Sequence, residues 1–475
     1  MLRSAGTFKD NVAEALADRQ LQRALSGLPD GLVAQRRAAC QRLPEFEALR
    51  DLGRDIKDHT LAHLDLYLEI YEQRAVEAGA SVHWASNAAE ACAIVLDICL
   101  QAGARRIVKG KSMISEEIAL NHHLEVAGLE VTETDLGEYI VQIRGEAPSH
   151  IITPAIHLTQ SQVEADFRRR HDHLEPDRVL DEAPQLVDEA RKVLREKFLA
   201  ADVGITGANV LIAETGSSVI VTNEGNGDLA QSLARVHIVL ASIDKVVPTL
   251  EDATVLLRLL ARSATGQEMS VYTTISTGPR RQTDPDGPEA YHVVLLDNGR
   301  TEILASELRE MLRCIRCGAC MNHCPVYGAV GGHAYGWVYP GPMGAVLTPA
   351  LTGVDAGADL PKASTFCGKC VDVCPVRIPL TELMRRHRER HFATGCGGKG
   401  FRLALKVWAY LACRPRLHHL IARFVIALMG AFARRRGSFR WLPLATAWTR
   451  YRDFPAPQGR TFQQQWAESR RGVPR

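Results

Sequence analysis

The sequence has no apolar stretch long enough to cross a bilayer. In the C-terminal region the longest uncharged run extends from Phe424 to Ala433, about half of the ~20 residues that a membrane-spanning helix needs. The first 20 residues are polar and lack the hydrophobic core of a secretory signal. The chain has 475 residues and ordinary hydrophobic content, 46%. We therefore expect a cytoplasmic protein of two or three domains.

Nucleotide-binding signatures are also missing. No Gly-x-Gly-x-x-Gly fingerprint follows a strand-like segment, and nothing indicates a flavin. We therefore expect no bound nicotinamide. The segment Asn223-Glu224-Gly225-Asn226-Gly227 could present backbone N–H groups to an anion, or it could be a plain glycine turn.

Acidic residues are scarce at the end of the chain. From Arg377 to Arg475 there are 21 lysines and arginines but four acidic residues, a local charge of +17, whereas the whole chain has a net charge of +2. Apolar and aromatic residues interleave with the basic ones. Such a tail could dock on an acidic partner or an anionic membrane surface, or it could pack as helices with a solvated basic face. We expect no nucleic-acid binding, because no nucleic-acid motif accompanies the charge.

Seven of the twelve cysteines lie between residues 314 and 374, in two runs that each end in Cys-Pro. The runs are Cys314-x2-Cys317-x2-Cys320-x3-Cys324-Pro325 and Cys367-x2-Cys370-x3-Cys374-Pro375. The first has the spacing of bacterial ferredoxins, in which the fourth cysteine of each run ligates the other cluster. A disulfide framework suits short secreted chains, and zinc usually takes its ligands as two separated pairs. The pattern therefore predicts two iron–sulfur clusters and an electron carrier.

Exchanging the last cysteine of each run gives the two ligand sets. Cluster one takes Cys314, Cys317, Cys320 and Cys374, and cluster two takes Cys324, Cys367 and Cys370. Ser364 stands where a complete second run would have its first cysteine. The fourth iron of cluster two could bind Ser364, Cys396, another side chain or water, or the site could hold a three-iron cluster.

The rest of the chain alternates between helix and strand patterns. Residues 1 to about 78 favour helices. Strand-like segments such as SVHWA and RRIVKG then alternate with helices such as AAEACAIVLDICLQAG and ISEEIALNHHLEVAG, the second of which we expect to begin at Ser115. The alternation resumes near residue 200, and a helix, TEILASELREMLRC, leads into the first cysteine run. This order favours a mostly parallel sheet covered by helices.

Several charged and histidine side chains stand near the expected ends of strands. They are Lys109, Lys111, Glu116, Glu117, Glu133, Asp135, Glu138, His150 and His157. Ligands of open α/β sheets bind at the carboxyl ends of strands, so Lys111, His150 or His157 could pair with a substrate carboxylate. Helix capping and solvated faces explain each residue at least as well.

Several blocks of sequence resemble lactate-utilisation proteins. KGKSMISEEIALNHHLEVAGLEVTETDLGEYIVQI and GITGANVLIAETGSSVIVTNEGNGDL resemble their LUD domain. Together with RCIRCGACMNHCPVY, FCGKCVDVCPVRIP and the C-terminal TFQQQW, these blocks make the chain similar to the lactate-utilisation protein B family over nearly its whole length. Ser364 fits the pattern of that family.

The resemblance implies a domain order and a fold class. We expect an N-terminal helical segment at residues 1–60, an α/β LUD domain at 61–298, an α-helical ferredoxin-type dicluster domain at 299–392 and a basic, helical C-terminal region at 393–475. The resemblance implies a CoA-transferase-like fold for the LUD domain. It also implies two [4Fe-4S] clusters with the ligand sets given above.

The resemblance also implies a function. We expect the iron–sulfur electron-transfer component of a cytoplasmic system that oxidises L-lactate to pyruvate, with a cysteine-rich iron–sulfur protein and a second LUD protein as the other subunits. The alternative is that the LUD domain is itself the catalytic oxidoreductase module and the clusters are its electron outlet. A 2-hydroxy acid gives up two electrons, whereas each cubane carries one, so both hypotheses stay open at the level of sequence.

Overall fold

The fold is mixed α/β, and its centre is a six-stranded parallel sheet, which confirms the expected fold class. The computed structural model describes residues 5–395, 398–433, 437–443, 445–449 and 452–471. Contacts divide the chain into two compact units, one up to His391 and the other from Phe392 onward.

Five helices form the N-terminal part of the first unit. They are α1 (Phe8–Ala17), α2 (Arg19–Leu25), α3 (Ala34–Gln41), α4 (Phe46–Ala62) and α5 (Leu64–Glu77). Apolar residues recur at helical spacing on one face of α4, where Leu49, Ile56 and Leu61 are buried. Helices α1, α2 and α4 bury their apolar faces in a core that they share with the cysteine-bearing segments, whereas α5 packs against the sheet.

Strands and helices alternate from residue 81 to residue 304. The elements are β1 (Ser81–Ala85), α6 (Ala88–Gln101), β2 (Arg106–Lys109), α7 (Met113–Glu117), α8 (Leu120–Val126), β3 (Glu130–Glu133), α9 (Leu136–Arg144), α10 (Gln160–Arg170), α11 (Ala183–Leu199), β4 (Val203–Gly207), β5 (Val210–Ile212), β6 (Ser217–Thr222), α12 (Asn226–Ser232), β7 (Val236–Ser242), β8 (Val246–Val247), α13 (Leu250–Ala264), β9 (Tyr272–Ser276), β10 (Ala290–Leu296) and α14 (Arg300–Leu304).

The main sheet is buried on both faces. Its strand order is β1-β10-β7-β4-β2-β3, and all of its pairs are parallel. Every residue of β7 is buried. Ile238 and Leu240 belong to the core on one face, and Val239 and Ala241 belong to the core on the other. Full burial of a central strand is typical of a parallel sheet covered by helices on both sides.

A smaller sheet has the strand order β8-β5-β6-β9, and β5 and β6 form an antiparallel hairpin. Gly216 closes the hairpin turn with a φ of +65°. A Cβ at this position would come within 2.2 Å of the backbone nitrogen of Ala75 in α5. Glycine is therefore needed both for the turn and for the close approach of the hairpin to α5.

Five helices follow in the cysteine-bearing part of the chain. They are α15 (Ala319–Asn322), α16 (Pro325–Val330), α17 (Gly341–Thr352), α18 (Lys369–Asp372) and α19 (Leu380–Ala393). Buried arginines of the N-terminal helices hold the second cysteine run. Arg50 donates to the carbonyl oxygen of Cys374 at 2.8 Å, and Arg36 donates to that of Val373 at 2.9 Å. The N-terminal helices thus help to fix the backbone that carries the cysteines.

One helix differs from its sequence-based prediction because the chain turns at Ala119. Residue Ala119 has a φ of +55°, which ends α7 and separates it from α8. The start also differs, since Ser112 caps α7 by accepting a hydrogen bond from the backbone of Ser115. The sequence did not indicate this break because Ile118, beside the turn, is buried and continues the apolar pattern of the helix.

The helix that we expected to lead into the first cysteine run is also shorter in the structure than the apolar pattern of its sequence predicts. Helix α14 ends at Leu304, and a 3-10 helix at Arg309–Arg313 leads into Cys314. Leu308, between the two segments, is buried, so the connecting turn continues the apolar pattern without being helical.

The second unit contains the basic tail. Its elements are α20 (Lys399–Ala412), α21 (Pro415–Ala433), β11 (Ser438–Phe439), α22 (Thr446–Thr449), β12 (Phe454–Pro455) and α23 (Phe462–Arg471). Strands β11 and β12 pair antiparallel. Large apolar side chains of α20 and α21 are exposed, including Trp408 at 64% and Phe424 at 69%. In the part of the chain that the structure describes, no helix combines the length and apolarity needed to cross a membrane.

A buried network joins three strand ends of the main sheet to the segment between the cysteine runs. Arg300 donates to Glu117 at 2.8 Å and to Asp244 at 3.0 Å. The hydroxyl of Tyr339 donates to Glu117 at 2.6 Å, and all four side chains are buried. Burial acts to raise the pKa of Glu117, but the charge of Arg300 outweighs it and holds this pKa below its usual value. The carboxylate therefore stays ionised inside the protein.

Removing the charge of Glu117 should destabilise the fold. In the Glu117→Gln variant Arg300 loses one of its buried partners, and breaking a buried pair costs about 3–5 kcal/mol. The matched control is Glu289→Gln, which removes an exposed partner of Arg280 and should cost at most about 1 kcal/mol. Denaturant midpoints of anaerobically purified protein compare the two variants, and equal midpoints would contradict the importance of the network.

Candidate functional site

Four cysteines from both runs surround one cavity. Its lining includes Cys314, Cys317, Cys320 and Cys374, together with apolar side chains such as Ile151 and Met343. The first three cysteines come from one run and Cys374 closes the second run. The fold therefore brings together the four residues that the crossed pattern assigned to cluster one.

A second cavity lies between the remaining cysteines of the two runs. Cys324, Cys367 and Cys370 line it, and so does Ser364. The Ser364 hydroxyl accepts a hydrogen bond from the backbone N–H of Phe366 at 3.1 Å, so its oxygen stays beside the cysteine loop. Cys396, the other candidate for the incomplete site, lies outside the described residues. Cys367 is exposed, so this group of cysteines reaches the protein surface.

The two runs repeat one backbone conformation. In each, a non-glycine residue with positive φ precedes a cysteine and a glycine with positive φ follows it: Arg316 (+60°) and Gly318 (+72°) in the first run, Phe366 (+54°) and Gly368 (+79°) in the second. A short helix begins at the next residue in both runs. Backbone strain of this kind is kept at functional sites, and such turns direct successive N–H groups toward a negatively charged ligand.

Backbone N–H groups point at the cysteine sulfurs. The N–H of Ile378 donates to Sγ of Cys374 at 3.3 Å. The N–H of Lys369 lowers the pKa of the exposed Cys367. Donors to ligand sulfurs are among the means by which proteins tune iron–sulfur clusters, so this arrangement fits clusters bound at the cysteines.

Two thiols of the first cavity are held in their neutral form by burial. Burial raises the pKa of Cys317 to about 12 and that of Cys374 to about 11. A bound metal ion deprotonates a coordinating thiol outright. Within the described residues, no three His, Cys, Asp or Glu side chains converge on a point as they would around a single metal ion.

Several cationic side chains lie near Cys314. Lys57, Lys245 and Arg316 all interact with Cys314 electrostatically. Burial, followed by the charge of Arg316, lowers the pKa of Lys245 to about 8. These positive charges would offset the negative charge of thiolates and an iron–sulfur cluster.

A cavity of about 330 Å³, lined by both polar and apolar side chains, lies at the carboxyl edge of the main sheet. Lys111 follows β2, Asn209 follows β4 and Lys245 follows β7. Arg316 and Ile151 line both this cavity and the first cysteine cavity. A ligand at the sheet edge would thus be separated from cluster one by two shared side chains.

The charged residues singled out by sequence fall into separate groups. Lys109 is buried and pairs with Glu133 at 2.7 Å and Glu116 at 3.3 Å. Glu138 is buried beside them with an unpaired Oε1, and burial raises its pKa well above the usual value. Glu117 belongs to the network with Arg300. These residues do not line the cavity at the sheet edge, and they stabilise the fold around it.

Lys111 and Asp135 do line that cavity, as a pair whose charged atoms lie 3.2 Å apart. Asn223, Glu224 and Asn226 of the glycine-containing loop line it as well. His150 and His157, the two histidines singled out by sequence, do not line this cavity. Burial lowers the pKa of His150 to about 4, and its ring bonds to Asn322, while His157 pairs with Glu146.

Sequence reasoning missed Lys245, Arg316 and Tyr339 as cavity residues. The Asp244-Lys245 pair directly follows the fully buried strand β7, and that position is a signal that could have found Lys245. Arg316 and Tyr339 reach the cavity from the cysteine region, far along the chain, and no local pattern marks them.

Comparisons with known proteins agree with this organisation. The LUD domain family matches residues 68–296, and the 4Fe-4S dicluster domain family matches residues 310–378. Lactate utilization protein B of Bacillus velezensis is 42% identical over 98% of this chain and 97% of its own length. The protein of the same name from Bacillus thuringiensis is 40% identical over 98% of both chains.

A solved structure of a DUF162 family protein from Deinococcus radiodurans aligns with 49% of this chain and 98% of its own, at 15% identity and a TM-score of 0.28. The relatives match along almost the full length of the chain, and the two domain families match the sheet and the cysteine runs separately. The chain therefore belongs to the lactate utilization protein B family, in which a LUD domain is joined to a 4Fe-4S dicluster domain.

Proposed function

We propose that this protein is the iron–sulfur electron-transfer component of a cytoplasmic system that oxidises L-lactate to pyruvate. The observation that carries the proposal is the pairing of two cysteine-lined cavities with the LUD sheet in one compact unit. Family membership supports a role in lactate utilisation, and the dicluster domain supports iron–sulfur chemistry.

In this proposal two [4Fe-4S] clusters bind at the two cysteine groups. Cluster one takes Cys314, Cys317, Cys320 and Cys374, and cluster two takes Cys324, Cys367 and Cys370 with a fourth ligand for which Ser364 is the nearest described candidate. Each cluster carries one electron. Cluster one lies toward the sheet and cluster two lies beside the exposed Cys367, so cluster two is the one that a partner protein can approach.

A second candidate function is catalysis by the LUD domain, with the clusters as its electron outlet. The observation that favours it is the cavity at the sheet edge, which shares Arg316 and Ile151 with the first cysteine cavity. We also propose that the LUD domain has a CoA-transferase-like fold and that the domains cover residues 1–60, 61–298, 299–392 and 393–475. The parallel sheet and the family match at residues 68–296 are compatible with this fold and with these boundaries.

The partners in this proposal are a cysteine-rich iron–sulfur protein and a second LUD protein. The basic tail supplies a surface for one of them. Its helices α20 and α21 contain no acidic residue and expose apolar side chains such as Trp408 and Phe424. Positive charge around exposed apolar residues suits an acidic partner or an anionic membrane surface.

Reduction of the clusters by lactate tests the proposed function. The anaerobically purified chain, mixed with both partner subunits and L-lactate, should lose the visible absorption of its oxidised clusters. The chain mixed with lactate alone should keep this absorption, because it lacks a two-electron acceptor. Bleaching without partners would favour the catalytic LUD domain, and no bleaching with the partners present would contradict electron transfer.

Salt dependence in the same assay tests docking by the tail. Binding through exposed charge weakens as ionic strength rises, so the rate of bleaching should fall with added salt. Replacing Lys406, Arg414 and Arg416 with Gln should lower the rate and flatten its salt dependence. The matched control replaces the exposed Lys192 and Arg280 of the first unit with Gln and should leave the rate unchanged.

Single cysteine variants test the crossed ligand sets. Cys374→Ala should damage the paramagnetic signal of cluster one and spare that of cluster two, whereas Cys367→Ala should do the reverse. Cys413→Ala, at an exposed cysteine outside both runs, should leave both signals intact. If the Cys374 and Cys367 variants lose the same signal, the two runs do not exchange their last cysteines.

The incomplete ligand set of cluster two predicts early damage by oxygen. An iron without a protein thiolate is the easiest to lose, so oxygen should convert cluster two to a three-iron form before cluster one decays. Ser364→Cys should slow this conversion, and Ser81→Cys, at the exposed start of the edge strand β1, should not. Both rates can be followed by paramagnetic resonance of oxygen-exposed samples. An unchanged rate in Ser364→Cys would point to another fourth ligand, with Cys396 the next to replace.

A further inference from the structure

The cavity at the sheet edge is lined by two cationic side chains, Lys245 and Arg316, to which no carboxylate of the described residues is hydrogen-bonded. Among the described residues, the ammonium group of Lys245 makes no hydrogen bond or ion pair. The Nη1 atom of Arg316 is buried and has no hydrogen-bond partner, and the guanidinium lies over the ring of Tyr339 at 4.9 Å. The carboxylate of Asp244 acts on both cations through its charge, but its side chain accepts a hydrogen bond from Arg300. An anion bound between Lys245 and Arg316 would satisfy the free Nη1 donor of Arg316.

The opposite side of the cavity has a different charge pattern. Lys111 is already neutralised by Asp135 at 3.2 Å and also donates to the carbonyl oxygen of Ile152 at 2.8 Å. Glu224 lines the same side and accepts a hydrogen bond from the backbone of Leu136. Because β4 lies between β7 and β2 in the sheet, Lys245 and the Lys111–Asp135 pair are on different sides of the cavity. A second negative group on a ligand would meet these carboxylates.

Size and lining restrict the ligand further. A cavity of about 330 Å³ is at the lower end of the range for small-molecule sites. Ser112, Asn209 and Thr153 supply polar groups, while Ile151 and Leu260 supply apolar surface. This lining suits a short carbon chain with one carboxylate and one neutral polar group.

We propose that this cavity binds a small monocarboxylate with an adjacent hydroxyl or carbonyl group, and that Lys245 and Arg316 hold its carboxylate. The inference rests on the proposed function, because it assigns a 2-hydroxy or 2-oxo acid to a site beside cluster one. It assigns no chemical step to the cavity, and binding alone is what the cavity residues carry out.

Calorimetric titration of the anaerobic, cluster-containing chain tests the proposal. L-lactate and pyruvate should bind, propionate should bind more weakly because it lacks the second polar group, and succinate should not bind because its second carboxylate meets Asp135 and Glu224. Lys245→Met should weaken binding of lactate by about tenfold or more. The matched control Lys192→Met, at an exposed lysine of α11, should bind lactate as the unmodified chain does.

Several results would overturn the proposal. The proposal fails if neither lactate nor pyruvate binds, or if Lys245→Met binds lactate as tightly as the unmodified chain. It also fails if succinate binds as tightly as lactate, or if inorganic phosphate binds more tightly than any carboxylate. Lys245→Gln provides the same test if the Met variant does not retain its iron. Arg316→Lys, which keeps the charge but shortens the reach of the donor, should bind lactate more weakly than the unmodified chain.

A spectroscopic measurement locates the ligand. Since Arg316 and Ile151 separate the cavity from cluster one, lactate should alter the paramagnetic spectrum of reduced cluster one and leave that of cluster two unchanged. This shift should be absent in Lys245→Met. A ligand-induced change in cluster two alone would contradict the site. Failure of binding leaves the bleaching assay with partner subunits unaffected, so the inference and the proposed function fail by different measurements.

Discussion

The buried pairing of Arg300 with Glu117 and Asp244 is the interaction on which the rest of the structure depends. Each carboxylate follows a different strand of the main sheet, Arg300 follows a third, and Tyr339 adds a hydrogen bond from the segment between the cysteine runs. Removing one partner of a buried charge pair is strongly destabilising. The network therefore holds the carboxyl edge of the sheet against the cysteine region, and the cavity at the sheet edge lies at that junction.

A repeated backbone conformation gives the cysteine region its two centres. Left-handed residues before and after one cysteine of each run turn N–H groups inward, and the final cysteine of each run reaches the other cavity. The arrangement is not symmetric. Cys317 and Cys374 of the first group are buried, whereas Cys367 of the second group is exposed. One pattern of sequence thus yields two centres that differ in the exposure of their cysteines.

The sequence predicted most of the features that depend on residues close together along the chain. The spacing of the cysteines predicted how they would be grouped, and the structure brings Cys374 to the first run and Ser364 to the second cavity. Alternating helix and strand patterns predicted the parallel sheet. Errors arose where a turn is itself apolar, as at Ile118 and Leu308, because burial continues the pattern through residues that are not helical.

The sequence by itself indicated the family through its resemblance, the parallel α/β class through its periodicity and the two cysteine runs through their spacing. The tertiary structure alone decided which charged residues surround a cavity. Lys109 and Glu133 pair inside the core, while Lys245 and Arg316, from distant parts of the chain, line one cavity at the sheet edge. The environment of a charge depends on which strand ends and loops are neighbours in space, and sheet order and the packing of the cysteine region fix those neighbours.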